Sequence, residues 1–280
     1  MKESFAQLLV HLDATSHAKT RLAVAHAIAQ AQGAAVSALY AVTPSLLELP
    51  FAPDGGPSVV SMLEQIDSDR RRPVKAAFDS AAATEGPRMA WAETTGFPVE
   101  SSFAHQALCA DLLVLGQYNA SDASNAGVSS DFVESVLAQS GKPALVLPYE
   151  GTPVSVGETV VIAWKPTREA ARAVAAAVPL LQRAKRVHVL SWGDEDVDVQ
   201  GAGLSLDGYL KLRGVDATWH RTGGAEPEQP GELLLSRAFD LEADLMVMGC
   251  YGHSRAREWV LGGVSRTVLR SMTLPVLMAH

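Results

Sequence analysis

The sequence predicts an α/β protein built from two doubly wound parallel-sheet domains in tandem. Three observations lead there. Short apolar runs alternate with segments of helical periodicity along the whole chain, which is the order of a parallel sheet covered by helices. The runs "DLLVLG" (Asp111–Gly116) and "DLMVMG" (Asp244–Gly249) are near-copies, and "KPALVLP" and "LPVLMAH" follow them at corresponding places, a repeat at domain scale. With 280 residues, 48% of them apolar, the chain can bury two cores of ordinary size.

The strands expected in the first half are Phe5–Leu12, Ala34–Val42, Arg88–Glu93, Asp111–Gly116 and Pro143–Pro148. Those of the second half are Thr159–Trp164, Arg186–Trp192, Val215–Arg221, Asp244–Gly249 and Pro275–Ala279. Leu22, Ala25 and Ala29 recur at helical spacing after the first strand; Ala171, Val174, Ala175, Val178 and Leu181 do so in the second half. Both stripes are expected to lie on a sheet. The segment "PYEGTPVSVGE" has two prolines and two glycines and little apolar periodicity, which places the domains at 1–150 and 155–280. "PSLLELPFAPDGGPS" and the acidic "GDEDVDVQGAG" read as surface loops.

A net charge of −8 and a pI near 5.5 offer no broad attraction to nucleic acid or anionic lipid. No apolar run reaches the roughly 20 residues of a membrane span, and no signal peptide is evident. Cys109 and Cys250 lack a C-x-x-C partner, and a reducing cytoplasm suits the pair. The eight histidines show no metal-ligand spacing, so no metal site is assigned. "GHSRA" falls short of the G-x-S-x-G hydrolase elbow, and "RRRP" (Arg70–Pro73), close to Asp67 and Asp69, reads as one face of a solvated helix.

Chemistry is concentrated in "MGCYGHSRAREWVLGGVSRTVL", Met248–Leu269. Gly249, Gly252, Gly262 and Gly263 would free the backbone N–H groups, and a helix starting near Val264 or Ser265 would add its positive dipole end, together an anion cradle. Taken singly, each glycine is as well explained by a tight strand exit or a helix start. The matching stretch of the first half, "LGQYNASDASNAGVSSDFVESVL", keeps Gly116, has Asn119 for Gly252, and is three residues shorter before "AGVSS" resumes the match. Asp122 replaces Arg255, and Asp131 and Glu134 follow where the second copy has Arg257, Arg266 and Arg270. A like charge at 4 Å costs a phosphate about 4 kcal/mol at an effective dielectric of 20. One half is expected to bind an anion and the other to serve as its structural partner.

The spacing G-x2-G-x9-G, between "DLMVMG" and "VSRTVLRSMTLPVLM", resembles the nucleotide loop of universal stress proteins, and the tandem layout resembles their two-domain members. The resemblance implies a Rossmann-like fold and ATP, or the related ADP or AMP, with phosphates on Gly249, Gly252, Gly262, Gly263, Val264 and Ser265. His253, Ser254 and Arg255 lie in the same loop and count with the site; His253 either approaches a phosphate or faces solvent. A magnesium ion could accompany the phosphates. The family's loop usually ends G-[ST], whereas Gly263 stands there in this chain. An Asp ending the first strand contacts the nucleoside in the family; Asp13 occupies that place in the first half, where it reads as a turn or cap residue, and Lys165 in the second. Lys165 is open to three roles: a solvated lysine, the partner of a carboxylate, or a phosphate ligand. The implied function is stress-linked regulation through nucleotide occupancy in the cytoplasm, with an internal pseudo-dimer, a possible homodimer and a regulatory protein partner. Slow ATP hydrolysis or self-phosphorylation at Ser265, Thr267 or His253, and a nucleotide-free interaction scaffold, are the alternatives.

Overall fold

The computed structural model describes residues 3–48, 56–94, 96–151, 155–192, 203–222, 227–250 and 263–280. The chain divides into two compact units, Phe5–Lys142, and Pro143–His280 together with Met1–Ser4. The expected α/β class is observed in both.

The first unit runs β1 (Gln7–Leu12), α1 (Ala18–Gln32), β2 (Ala35–Tyr40), α2 (Ser45–Glu48), α3 (Pro57–Ala82), β3 (Met89–Glu93), α4 (Val99–Ala107), β4 (Leu112–Gly116), a 3-10 turn (Ala123–Asn125) and α5 (Phe132–Ser140). Its strands lie in the order β3-β2-β1-β4, all parallel. The order reverses between β1 and β4. Adjacent strands at such a reversal send their connections to opposite faces and leave a crevice at their carboxyl ends. Leu112–Leu115 of β4 are wholly buried, as a strand covered on both faces must be, whereas the edge strand β3 is half open.

The second unit runs β5 (Ala144–Leu147), β6 (Thr159–Ala163), α6 (Arg168–Leu181), β7 (Arg186–Trp192), α7 (Leu206–Leu212), β8 (Thr218–Thr222), α8 (Pro230–Asp240), β9 (Leu245–Gly249), α9 (Gly263–Ser271) and β10 (Val276–Ala279). Its strand order is β8-β7-β6-β9-β10-β5, with a reversal between β6 and β9. β10 is parallel to β9 but antiparallel to β5, with Val276 opposite Val146. The two short apolar strands that end the sequence repeat therefore pair with each other, and both are completely buried.

A carboxylate ties the amino ends of the strands in each unit. Asp111 Oδ2 accepts from the Ala6 and Gln7 amides at 2.7 and 2.9 Å. Asp244 accepts from the Ser155 hydroxyl at 2.5 Å and from the Gly157, Glu158 and Thr159 amides at 3.1, 3.0 and 2.8 Å. These bonds satisfy amides that precede the ladder between neighbouring strands.

Three expectations shift. On α6 the buried stripe is Ala170, Ala173, Val174, Ala177, Val178 and Leu181, and Ala171 and Ala175 are exposed. Alanine on every face of this helix blurs the period that would have fixed its rotation. Within "PSLLELPFAPDGGPS", Ser45–Glu48 form a helical turn because the Ser45 amide and hydroxyl are bound by Asp67 of α3, at 3.0 and 2.6 Å for the closest contacts. Ladder pairing of β8 begins at Thr218, since Val215 turns inward after Gly214 (φ +71°) and bonds the Leu210 carbonyl instead. Arg70–Arg72 do lie on a helix, α3, and each faces a carboxylate: Arg70 with Asp67, Arg71 with Glu93, Arg72 with Asp69.

Candidate functional site

Gly116 and Gly249, the first residues of the two loops, end the strands beside the two reversals, so the strand ends of the two units can be compared.

In the first unit the crevice is filled by the protein itself. Asp13 follows β1 and is 4% exposed. Its Oδ1 accepts from the Thr15 amide at 2.9 Å and the Thr15 hydroxyl at 2.6 Å, the turn role expected of it. The same oxygen lies 2.6 Å from Arg21 Nη2 of α1, an ion pair that the sequence did not suggest. Arg21 Nε donates to the His11 carbonyl at 2.8 Å, and a Cβ placed on Gly116 would meet Arg21 Nη1 at 2.2 Å. The guanidinium thus lies across the end of β4, and residue 116 must be glycine to let it pass. Burial pushes the Asp13 pKa upward, but Arg21, His11 and the Thr15 hydrogen bonds outweigh burial and bring it to about 2.

His11 lies beneath this pair, stacked on Phe132 with ring centroids 4.1 Å apart and edge-on to Phe103. Its Nε2 is 2.9 Å from the Ala41 carbonyl, which can only accept, so Nε2 carries the hydrogen. Burial lowers its pKa to about 4; Asp13 and the Ala41 bond oppose the shift and Arg21 adds to it. Above the pair the shortened loop closes on itself. Asn119 accepts from the Ser121 amide at 3.0 Å, Asp122 caps the 3-10 turn through Ser124, and Asn125 donates to the Asn119 carbonyl. Asn119 does not use a positive φ. Where "AGVSS" and "GGVSR" match, α5 starts at Phe132, five residues beyond Gly127, whereas α9 starts at Gly263 itself. About 20 Å³ of free space remains, enough for a water and far short of a nucleotide.

In the second unit the same positions hold different chemistry. With β1 matched to β6 through their registers on β4 and β9, Lys165 stands for Asp13 and Ala173 for Arg21, so neither member of the ion pair is present. Lys165 is exposed at the end of β6, and Thr167 caps α6 by accepting from the Ala170 amide at 3.2 Å. Gly249 ends β9, and a Cβ there would be 2.4 Å from the Ala170 nitrogen and 2.6 Å from the Glu169 carbonyl carbon. The first turn of α6 is pressed against the strand end. Helix packing by itself therefore requires glycine at 249, without a positive φ. A Cβ on Gly263 would meet nothing within 4 Å among the described residues, Val264 is half-buried, and Ser265 is 4% exposed in the first turn of α9. Gly252, His253, Ser254, Arg255 and Gly262 lie outside the described residues.

Around Gly249 the structure adds groups that the sequence reading did not single out. Glu169 is 3% exposed and paired with Arg168. Cys250 is fully buried; burial, with the Glu169 charge adding to it, pushes its thiol well above the usual range. The His280 ring is 3.3 Å from the Cys250 carbonyl, and Arg172 donates to the His280 carbonyl at 2.9 Å. Among the described residues no three or more His, Cys, Asp and Glu side chains gather as a metal cage, and no helix is long and apolar enough to cross a membrane.

Comparison with known proteins agrees with this geometry. Residues 158–280 match the sequence model of the Universal stress protein family. A universal stress protein from Archaeoglobus fulgidus superposes with a TM-score of 0.70 at 16% identity, covering 98% of this chain and 95% of that one. A functionally unknown protein from Pseudomonas aeruginosa superposes with a TM-score of 0.59 at 14% identity, covering 98% and 92%. At these identities the two structures establish the fold. No curated protein matches the sequence. The second half of the chain thus resembles the Universal stress protein family in sequence, and the whole chain shares the fold of these solved structures.

Proposed function

We propose that the second unit binds an adenine nucleotide, ATP or its ADP or AMP relatives, and that the protein acts as a cytoplasmic stress-response regulator read through occupancy of that site. The observation that carries the proposal is the contrast between the crevices: Arg21 crosses Gly116 in the first unit, while Ala173 takes its place in the second. The family match over residues 158–280, which contains the glycine loop, supports the same choice. Phosphate oxygens would be held by main-chain amides at Gly249, Gly252, Gly262, Gly263, Val264 and Ser265, with His253, Ser254 and Arg255 in the same loop; the Cys250 amide is already given to the Ala279 carbonyl. The start of α9 adds its dipole and the Ser265 hydroxyl a donor. Lys165, at the end of β6, is placed on the same edge of the sheet and suits a phosphate better than the carboxylate of the first unit does. A magnesium ion would offset phosphate charge. A homodimer and a regulatory protein partner complete the proposal.

The test is mass spectrometry of small molecules released from freshly purified protein, followed by calorimetric titration with ATP. Recovered adenine nucleotide and saturable binding, weakened at least tenfold by Gly252→Asp, are expected. Binding unchanged by that substitution would remove the loop from the account.

A further inference from the structure

The sheet of the second unit brings together two histidines that are 32 residues apart in sequence. His188 lies on β7 and His220 on its parallel neighbour β8, where Leu190 is the direct register partner of His220. His188 is two residues from Leu190, so both rings project from the same face, one diagonal step apart. His188 Nδ1 and His220 Nε2 are 3.1 Å from each other, and the ring planes meet at 48°. One nitrogen therefore carries a hydrogen and the other offers its lone pair; moving that hydrogen to the far nitrogen of its own ring leaves two lone pairs side by side.

We propose that His188 and His220 form a two-imidazole chelate for a late first-row divalent metal ion such as Zn2+, Ni2+ or Cu2+. With metal–nitrogen bonds of about 2.05 Å, a 3.1 Å separation subtends about 98° at the metal. That value lies between the about 90° of square-planar or octahedral neighbours and the about 109° of a tetrahedron, so the two nitrogens are spaced as adjacent ligands of one ion. Imidazole pairs select these metals over Mg2+ and Ca2+, which require oxygen. Both rings are half-exposed, so water completes the shell and the ion is exchangeable rather than a structural staple. The Arg186 cation lies two residues before His188 on β7. The Arg186 charge is held elsewhere: its Nε donates to Thr159 Oγ1 at 3.1 Å and its Nη2 lies 3.6 Å from Glu242. The site is independent of the glycine loop.

Zn2+ and Ni2+ are titrated separately into the full-length protein by calorimetry, and Ni2+ broadening of the histidine ring resonances is followed by NMR. One site is expected, with His188→Gln and His220→Gln each weakening it at least tenfold and His105→Gln, an exposed histidine of α4, leaving it unchanged. Selective broadening of the His188 and His220 rings in the unsubstituted protein gives a reading that does not depend on how well the variants fold. Equal metal affinity in the His188 and His220 variants, or broadening centred on other histidines, would overturn the proposal.

Discussion

Acid should weaken the first unit before the buried Asp13 carboxylate protonates, and His11 is the reason. Its pKa is about 4 in the fold against 6.5 in the unfolded chain, because the ring is buried against Phe132 and Phe103 with Arg21 close by. Below pH 6.5 the unfolded chain takes up a proton that the folded unit refuses. Stability from this group is complete above 6.5 and is lost progressively as pH falls toward 4. Between pH 7 and pH 4.5 the linkage integral comes to about 2.5 kcal/mol. Asp13 does not contribute there: its pKa is depressed to about 2, so its share remains until pH falls below about 4. Urea unfolding at the two pH values, with pulsed hydrogen exchange read on β1 peptides, isolates the first unit. With an m-value of about 2 kcal/mol per molar, the midpoint should drop by about 1 M more in the unsubstituted protein than in His11→Gln. Glutamine is chosen because its amide can still donate to the Ala41 carbonyl. An equal drop in both proteins would show that His11 is not the acid-sensitive group.

Three further outcomes follow from named contacts. Arg21→Ala should destabilise the first unit by about 3–5 kcal/mol by leaving the Asp13 carboxylate buried without its cation, and adding Asp13→Asn should recover part of that in a double-mutant cycle. Gly249→Ala should cost about 1–3 kcal/mol in thermal unfolding, since the added Cβ meets helix backbone at 2.4 Å, whereas Gly263→Ala, whose Cβ would meet nothing within 4 Å among the described residues, should cost little. A thiol reagent should label one cysteine per chain in native buffer, the exposed Cys109, and both in denaturant, because Cys250 is buried and its thiolate disfavoured.

The strands were legible because the central ones are continuous apolar runs, and a run such as "LLVL" or "LMVM" has nowhere to go but the middle of a covered sheet. Asp13 as a turn residue was legible too, since Asp before a small polar residue is a local signal. What lay hidden were pairings across distance. Nothing in a charged side chain in the first turn of α1 says that it bends back over residue 116. Gly249 belonged to a recognisable glycine pattern, but its neighbour, the first turn of α6, comes from a segment about 80 residues earlier, so packing and ligand approach looked alike in sequence. His188 and His220 meet only through the register of β7 on β8, which no spacing rule encodes.

The Asp111 and Asp244 braces separate the two poles of each sheet. One pole of each unit is pinned by a short carboxylate whose partners are main-chain amides and, for Asp244, the Ser155 hydroxyl of the same pole, so that end is indifferent to whatever the opposite rim contains. Duplicated halves anchored in this way are free to diverge in chemistry: one rim could trade its ligand for an internal ion pair while the fold beneath it went on assembling from the same instructions.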